Sequence, residues 1–290
     1  MLYATDNNAR AFFQNVSSKC SKVVTESYST SFSIAIQMLD RSVRGDIYNI
    51  YAFARLADEI VDTFSNNDHR QTLFNSFYND LEKAIENKVS TNPILNAFQY
   101  TFHNNKLSIN WVRGYMNSMQ MDLGEIRSLT PDEFEKYIYG SVKCIGLMCL
   151  KVFVKNDKEK FESLRNSTLS MWSAFQKVNF LRDIGEDFQN LNRTYFPNIN
   201  YLSLGEKEKQ IIVEDIEIDF NNAAPGIRLL PKEARFGVYM AYIYYKELLK
   251  KIKRTPVETI KSKRVRISNC TKVKLLCRSY LKHNFFGKTI

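Results

Sequence analysis

The chain has 290 residues, 44% of them apolar, and 41 Lys and Arg against 31 Asp and Glu give a net charge of +10. That length can bury a large core, and the basic excess points to a polyanionic partner: nucleic acid, an anionic membrane surface or phosphorylated substrates. Five scattered cysteines and three dispersed histidines without C-x-x-C spacing exclude a disulfide framework or a zinc site and suit a reducing compartment.

Only 10 Gly and 6 Pro are present, which favours long uninterrupted elements, and all six prolines are expected between periodic segments. In chain order, helical periodicity covers 8–24, 42–64, 69–88, 93–104, 108–123, 131–155, 158–190, 206–219, 231–253 and 263–283. The start at 131 is marked by Thr130 as N-cap and Pro131 in the first turn, and the start at 231 by "LLPKEARF". The window "EKQIIVEDIEIDF" alternates enough to suit a strand, but a helix is the better reading. Nothing suggests repeats or linkers, so 1–290 is expected to be one all-α domain, with 1–20 and 284–290 as loose termini. No signal pattern opens the chain, and its apolar runs fall well short of the ~20 residues of a membrane span. Much of the basic excess lies in "KKIKRTPVETIKSKRVRISNCTKVK" near the C-terminus.

Two stretches carry chemistry. In "YAFARLADEIVDTF" (51–64), Tyr51, Arg55, Asp58 and Asp62 step by four, three and four, so a helix puts them on one face. In "FQKVNFLRDIGEDFQN" (175–190), Gln176, Asn179, Asp183 and Asp187 do the same, with Glu186 beside them and Gly185 as the lone helix breaker. One D-x-x-x-D is usually a solvated face. Two of them, each interleaved with apolar residues in one helical chain, suit two helices clamping hard cations. Mg²⁺ takes one or two carboxylates together with waters and phosphate oxygens, so acidic patches in a basic protein become a device for binding an anion.

These residues resemble those of the squalene/phytoene synthase family of head-to-head prenyl synthases, and most of all the bacterial phytoene synthases. The resemblance runs from about residue 20 to 280. It rests on "YSTSFSIA" (28–35), "YAFARLADEIVD" (51–62), "YIYGSVKCIG" (137–146), "FQKVNFLRDIGEDFQNLNRTYFP" (175–197) and "RVRISNCTK" (264–272). It implies a helical bundle of the class I isoprenoid synthase type around an apolar cavity. Asp58, Asp62, Asn179, Asp183 and Asp187 are implied as metal ligands. Diphosphate would be gripped by Arg55, Gln176, Arg182, Tyr244, Arg264 and Lys272, with Ser29 and Ser31 in a flap-like segment. Tyr51 and Tyr137 would stand near the reacting carbons. One departure is clear: where the family commonly reads V-A-G, this chain has Ser141, Val142 and Lys143. The lysine could alter the pocket, contact a diphosphate or point away.

The resemblance further implies Mg²⁺ (or Mn²⁺) as cofactor, no NADPH, and prenyl diphosphates as substrates. The expected reaction is condensation of two geranylgeranyl diphosphates to phytoene, with farnesyl diphosphate as the alternative. Peripheral contact with the inner face of the cytoplasmic membrane is compatible with the charge, and nucleic acid is not expected as a partner. A class I terpene cyclase or a basic helical binding protein are the rivals; the first lacks its D-D-x-x-D pair, and the second leaves the paired carboxylates without a task.

Overall fold

The computed structural model describes residues 6–64, 69–124, 129–191 and 193–286, and all regular structure among them is helical. The helices are α1 (Asp6–Tyr28), α2 (Thr30–Gln37), α3 (Arg41–Asp62), α4 (Arg70–Asn87), α5 (Pro93–Asn104), α6 (Ile109–Met121) and α7 (Pro131–Ile138). They continue as α8 (Cys144–Phe153), α9 (Lys158–Leu191), α10 (Glu206–Leu229), α11 (Lys232–Arg254), α12 (Val257–Ser262) and α13 (Asn269–Phe286). Local chemistry sets the starts. Ser29 Oγ accepts from Phe32 N at 3.2 Å to begin α2, Asp40 Oδ1 accepts from Ser42 N at 2.8 Å to begin α3, and Thr130 with Glu133 forms a reciprocal capping box on α7.

Several expectations from periodicity are corrected. The segment at 8–24 is longer, and residues 6–20 are not a loose terminus: α1 packs on α3 and α5. The segment around Ser29 and Ser31 is helical, as α2. The run 131–155 is divided by a π-helical turn, Tyr139–Lys143. The run 263–283 resolves into an extended stretch and α13, with α12 preceding it. Helix α10 passes through Pro225 to Leu229, so one proline does lie inside a helix. Pro225 and Asn221 are both exposed, so the carbonyl deprived of its N–H partner faces water.

Helix α9 has 34 residues and spans about 50 Å. It packs against α8, α10, α11 and α12, while α3 sits between α1, α5 and α8. Phe53 on α3 is fully buried and stacks on Phe98 with ring centroids 4.0 Å apart. Between α2, α3, α8, α9 and α11 the packing leaves a cavity of about 630 Å³. No helix among the described residues is long and apolar enough to cross a membrane.

Gly185 explains itself here. A Cβ at this position would lie 2.1 Å from the Lys261 carbonyl oxygen, so its absence lets α12 lie against the acidic end of α9. Backbone cannot swing aside as a side chain can. Gly185→Ala is therefore expected to destabilise by about 1–3 kcal/mol, despite the better helix propensity of alanine. Gly45 on α3 has nothing within 4 Å of its Cβ position, so Gly45→Ala should stabilise by about 0.5–1 kcal/mol. Urea melts of the two variants check this; equal effects would refute the packing argument.

Candidate active site

Asp62 is the last residue of α3 and Asp58 stands one turn before it; Asp183 and Asp187 occupy the last turns of α9. All four line the same cavity, together with Glu186. Helix C-termini carry partial negative charge, so the pair at the end of α3 is placed where its own helix disfavours it. The two pairs also feel one another. Burial, followed by the charge of Asp62, pushes Asp58 up to about 7. Burial, then Asp183 and Asp62 on the facing helix, push Asp187 up to about 8.

Arginines offset part of this charge. Arg55 reaches Asp58 at 2.6 Å and also pairs with Glu59, while its guanidinium lies 4.4 Å from the centre of the Tyr28 ring. Its Nε is buried without a hydrogen-bond partner among the described residues. Arg182 donates to both oxygens of Asp183, at 2.7 and 2.5 Å. Arg264, from the stretch between α12 and α13, approaches Asp183 at 2.9 Å and Glu186 at 3.4 Å.

Behind the carboxylates lies a brace that periodicity did not reveal. Arg193 is 3% exposed and donates to Asp62 Oδ1 at 2.6 Å, to the Asp122 carbonyl at 2.7 Å and to the Val61 carbonyl at 3.3 Å. The buried Asp122 carboxylate accepts from Tyr137 Oη at 2.7 Å and Tyr195 Oη at 3.3 Å. Burial pushes Asp122 up to about 6, against the pull of Arg193. The only trace of Asp122 in the sequence is an acid between Met121 and Leu123 at the end of an amphipathic helix.

The other expected residues divide. Ser29, Tyr51, Tyr137, Gln176 and Asn179 line the cavity. Asn179 donates to Gln176 Oε1 at 3.4 Å and accepts from Tyr245 Oη at 3.3 Å. Tyr245, which was not singled out from sequence, faces the cavity where Tyr244 was expected. Ser31, Tyr244 and Lys272 instead line a separate cleft of about 20 Å³, room for about one water. There Lys272 Nζ donates to Thr30 Oγ1 at 2.7 Å and stands 5.6 Å over the Tyr244 ring. Lys143 points away and pairs with Glu135 at 2.9 Å, leaving Ser141 and Val142 on the cavity wall.

Deeper in, the walls are apolar and aromatic: Phe32 lies 5.6 Å from Tyr51 and 6.2 Å from both Trp172 and Tyr245, ring centre to ring centre. The mouth is thus acidic and arginine-rich, and the interior is greasy. The donor set fits a hard divalent cation, since the five carboxylates of Asp58, Asp62, Asp183, Glu186 and Asp187 line the cavity against the four guanidinium groups of Arg55, Arg182, Arg193 and Arg264. Among the described residues no three metal-ligating side chains converge into a cage. Such a site suits an ion held by one or two carboxylates and completed by oxygens of a phosphorylated ligand.

Residues 25–271 match the squalene/phytoene synthase family. Among curated relatives, chloroplastic phytoene synthase 1 of Solanum lycopersicum is 25% identical, over 91% of this chain and 67% of the relative. Chloroplastic phytoene synthase 2 of Zea mays is 24% identical, over 91% and 69%. The chain thus spans about two thirds of the length of these plant relatives. In fold it is similar to a dehydrosqualene synthase solved with a ligand (TM-score 0.79, 22% identity, 93% of this chain and 98% of that one). It is also similar to a squalene synthase from Alicyclobacillus acidocaldarius (TM-score 0.72, 20% identity, 83% and 94%).

Crowded carboxylates make a pH signature. Asp58, Asp122 and Asp187 bind protons more tightly folded than unfolded, so their contribution to stability is complete below about pH 4 and is lost as pH rises through about 6 to 8. The melting temperature in EDTA should fall across that window, and Mg²⁺ with inorganic diphosphate should flatten the fall. Asp187→Asn should melt about 1–2 °C above the parent in EDTA, the shift that about 1 kcal/mol gives a chain of this size. A flat metal-free profile would show that the carboxylates do not repel.

Proposed function

The chain belongs to the squalene/phytoene synthase family of head-to-head prenyl synthases, and from that premise we propose that it condenses two geranylgeranyl diphosphates to phytoene, a step of carotenoid biosynthesis. The observation that carries this is the pair of acid-bearing helix ends, α3 and α9, meeting at the mouth of one apolar cavity.

Mg²⁺, with Mn²⁺ as substitute, would be held by Asp58, Asp62, Asn179, Asp183 and Asp187, and when bound supplies Lewis-acid stabilisation of the departing diphosphate. Arg55, Arg182 and Arg264 stand within reach of the same place and offer guanidinium donors to diphosphate oxygens. The Nε of Arg55 has no hydrogen-bond partner among the described residues and leaves one such donor unused. Ser29 and Gln176 border the same mouth.

The bond between the allylic carbon and diphosphate oxygen breaks, and the electron pair leaves with the diphosphate. The resulting cation meets the double bond of the second substrate, and proton loss closes a cyclopropylcarbinyl diphosphate. A second ionisation, rearrangement and proton loss then give the hydrocarbon. Proton loss, and not hydride delivery, ends this sequence, so NADPH has no part in it. The rings of Phe32, Tyr51, Trp172 and Tyr245 wall the interior, where aromatic faces stabilise a cation and the apolar surface excludes the water that would quench it. Tyr137 is held by Asp122 with its ring on the cavity wall.

The relatives named phytoene synthase support the twenty-carbon substrate. The alternative is farnesyl diphosphate coupled to dehydrosqualene, the activity in the name of the structure at TM-score 0.79. Incubation of purified protein and Mg²⁺ with each labelled prenyl diphosphate is expected to give a forty-carbon hydrocarbon from the longer one. A thirty-carbon product from farnesyl diphosphate alone would move the assignment to the alternative, and no head-to-head hydrocarbon from either would end it. Asp183→Ala should lower turnover by about 10²–10³ or more with the helical circular-dichroism signal intact; near-normal turnover would remove Asp183 from the metal site.

A further inference from the structure

Charge is very unevenly distributed along the chain. Residues 246–280 hold twelve Lys and Arg against two Glu, so they carry the whole net charge of +10 while the remaining 255 residues sum to zero. These residues form the end of α11, then α12, the stretch 263–268 and the described part of α13. Arg264 in that stretch sits at the cavity mouth against Asp183 and Glu186, and its neighbours Lys263 and Arg266 are exposed.

The inner face of α13 is occupied. Ser279 is buried, Lys272 is tied to Thr30 on α2, and Leu275 closes the small cleft against α2 and α11. The outer face is different. Cys270, Val273, Cys277 and Tyr280 follow one another at spacings of three, four and three, which makes one stripe on a helix. Both cysteines are exposed, Val273 is 56% exposed, and Tyr280 is 53% exposed although its ring meets Phe236 edge-on. Lys274 and Arg278 run along one edge of the stripe, are exposed and form no ion pair among the described residues.

We propose that the outer face of α13, with the stretch 263–268, docks on an anionic lipid bilayer, Lys274 and Arg278 meeting lipid phosphates while Val273, Cys277 and Tyr280 enter the interface. Charge complementarity selects the partner's sign, and the apolar stripe beside the basic side chains selects lipid over nucleic acid. A nucleic-acid surface needs basic and polar groups along the backbone and gives exposed valine and cysteine nothing to do. Docking here sets the cavity mouth beside the bilayer. The inference goes beyond the catalytic reading and does not depend on it.

The test is sedimentation of the full chain with vesicles of phosphatidylcholine alone or mixed with phosphatidylglycerol, without substrate or Mg²⁺. Binding is expected only to the mixed vesicles, weakening as salt rises. The double variant Lys274→Gln/Arg278→Gln should bind about 30-fold more weakly, from about 1 kcal/mol for each charge near an anionic surface. Val273→Asp should lose about tenfold or more. Helical circular dichroism and melting temperatures of these variants should equal those of the parent, which separates lost docking from lost folding. Binding to neither vesicle, or equally to both, overturns the proposal, as does unchanged binding by the double variant. Tighter binding to duplex DNA that Val273→Asp leaves intact would assign the face to nucleic acid. A dimer in solution that Val273→Asp dissociates would assign it to a second copy; either result overturns the lipid reading.

Discussion

The rest of the structure depends on a repulsion. Four carboxylates from two helices face the same cavity mouth, and the pair on α3 sits at the end of its helix where the backbone dipole is also negative. Left alone, that arrangement would push α3 and α9 apart. The chain holds it with fixed positive charge: Arg193, buried between the two helices, ties Asp62 to the carbonyls of Val61 and Asp122. Asp122 in turn anchors Tyr137 and Tyr195, whose ring centres lie 5.1 Å apart. A buried arginine with several satisfied donors is costly to desolvate but costly also to remove, because its partners would then be left unpaired. The brace keeps the acids together without neutralising them, since Asp58 and Asp187 still hold protons far above the usual carboxylate range.

The surplus that remains is what makes the site selective. A cavity fully neutralised by arginine would have no appetite for a cation, and one with no arginine would repel diphosphate. Here Arg55, Arg182 and Arg264 lie on the carboxylates, in positions from which they also reach an anion at the mouth, so little reorganisation is needed for them to grip one. The positive charge concentrated in residues 246–280, which include Arg264 at the mouth, adds long-range attraction for anionic ligands.

The order of the helices and the two acidic faces were legible because both rest on short-range periodicity. What escaped rests on contacts between distant residues. Asp122 belongs to no D-x-x-x-D pair, and its partners Tyr137, Arg193 and Tyr195 come from elsewhere in the chain. Tyr244 and Tyr245 are adjacent and chemically alike, so spacing to the family pattern could not separate them; the pitch of α11 against α9 does, turning Tyr245 to Asn179 and Tyr244 to Lys272. Lys143 is rotated to Glu135 by the extra residue that a π-helical turn inserts, and that insertion follows from no composition signal. Pro225 inside α10 was misjudged for a similar reason: proline is disfavoured by a helix interior, but an exposed face lets water take the orphaned carbonyl.

Chemistry and substrate length are built into different parts of the cavity. The acids and arginines occupy one end. Ile47 precedes Asp58 by three turns of α3, and Met171 precedes Asp183 by more than three turns of α9, so these two, with Phe153 at the end of α8, line the other end about 17 Å away. That far end is shaped by how closely helices approach. At Gly146 a Cβ would strike the Trp172 ring at 2.3 Å, and at Gly237 it would strike Leu39 at 2.5 Å, so two missing methyl groups set how α8 meets α9 and how α11 meets α2. The capacity for a prenyl chain is therefore a packing property of several helices at once, while the reaction at the mouth needs only two. That separation lets one acidic mouth serve chains of different length, and it explains why motif spacing speaks to the reaction and is silent on the number of carbons.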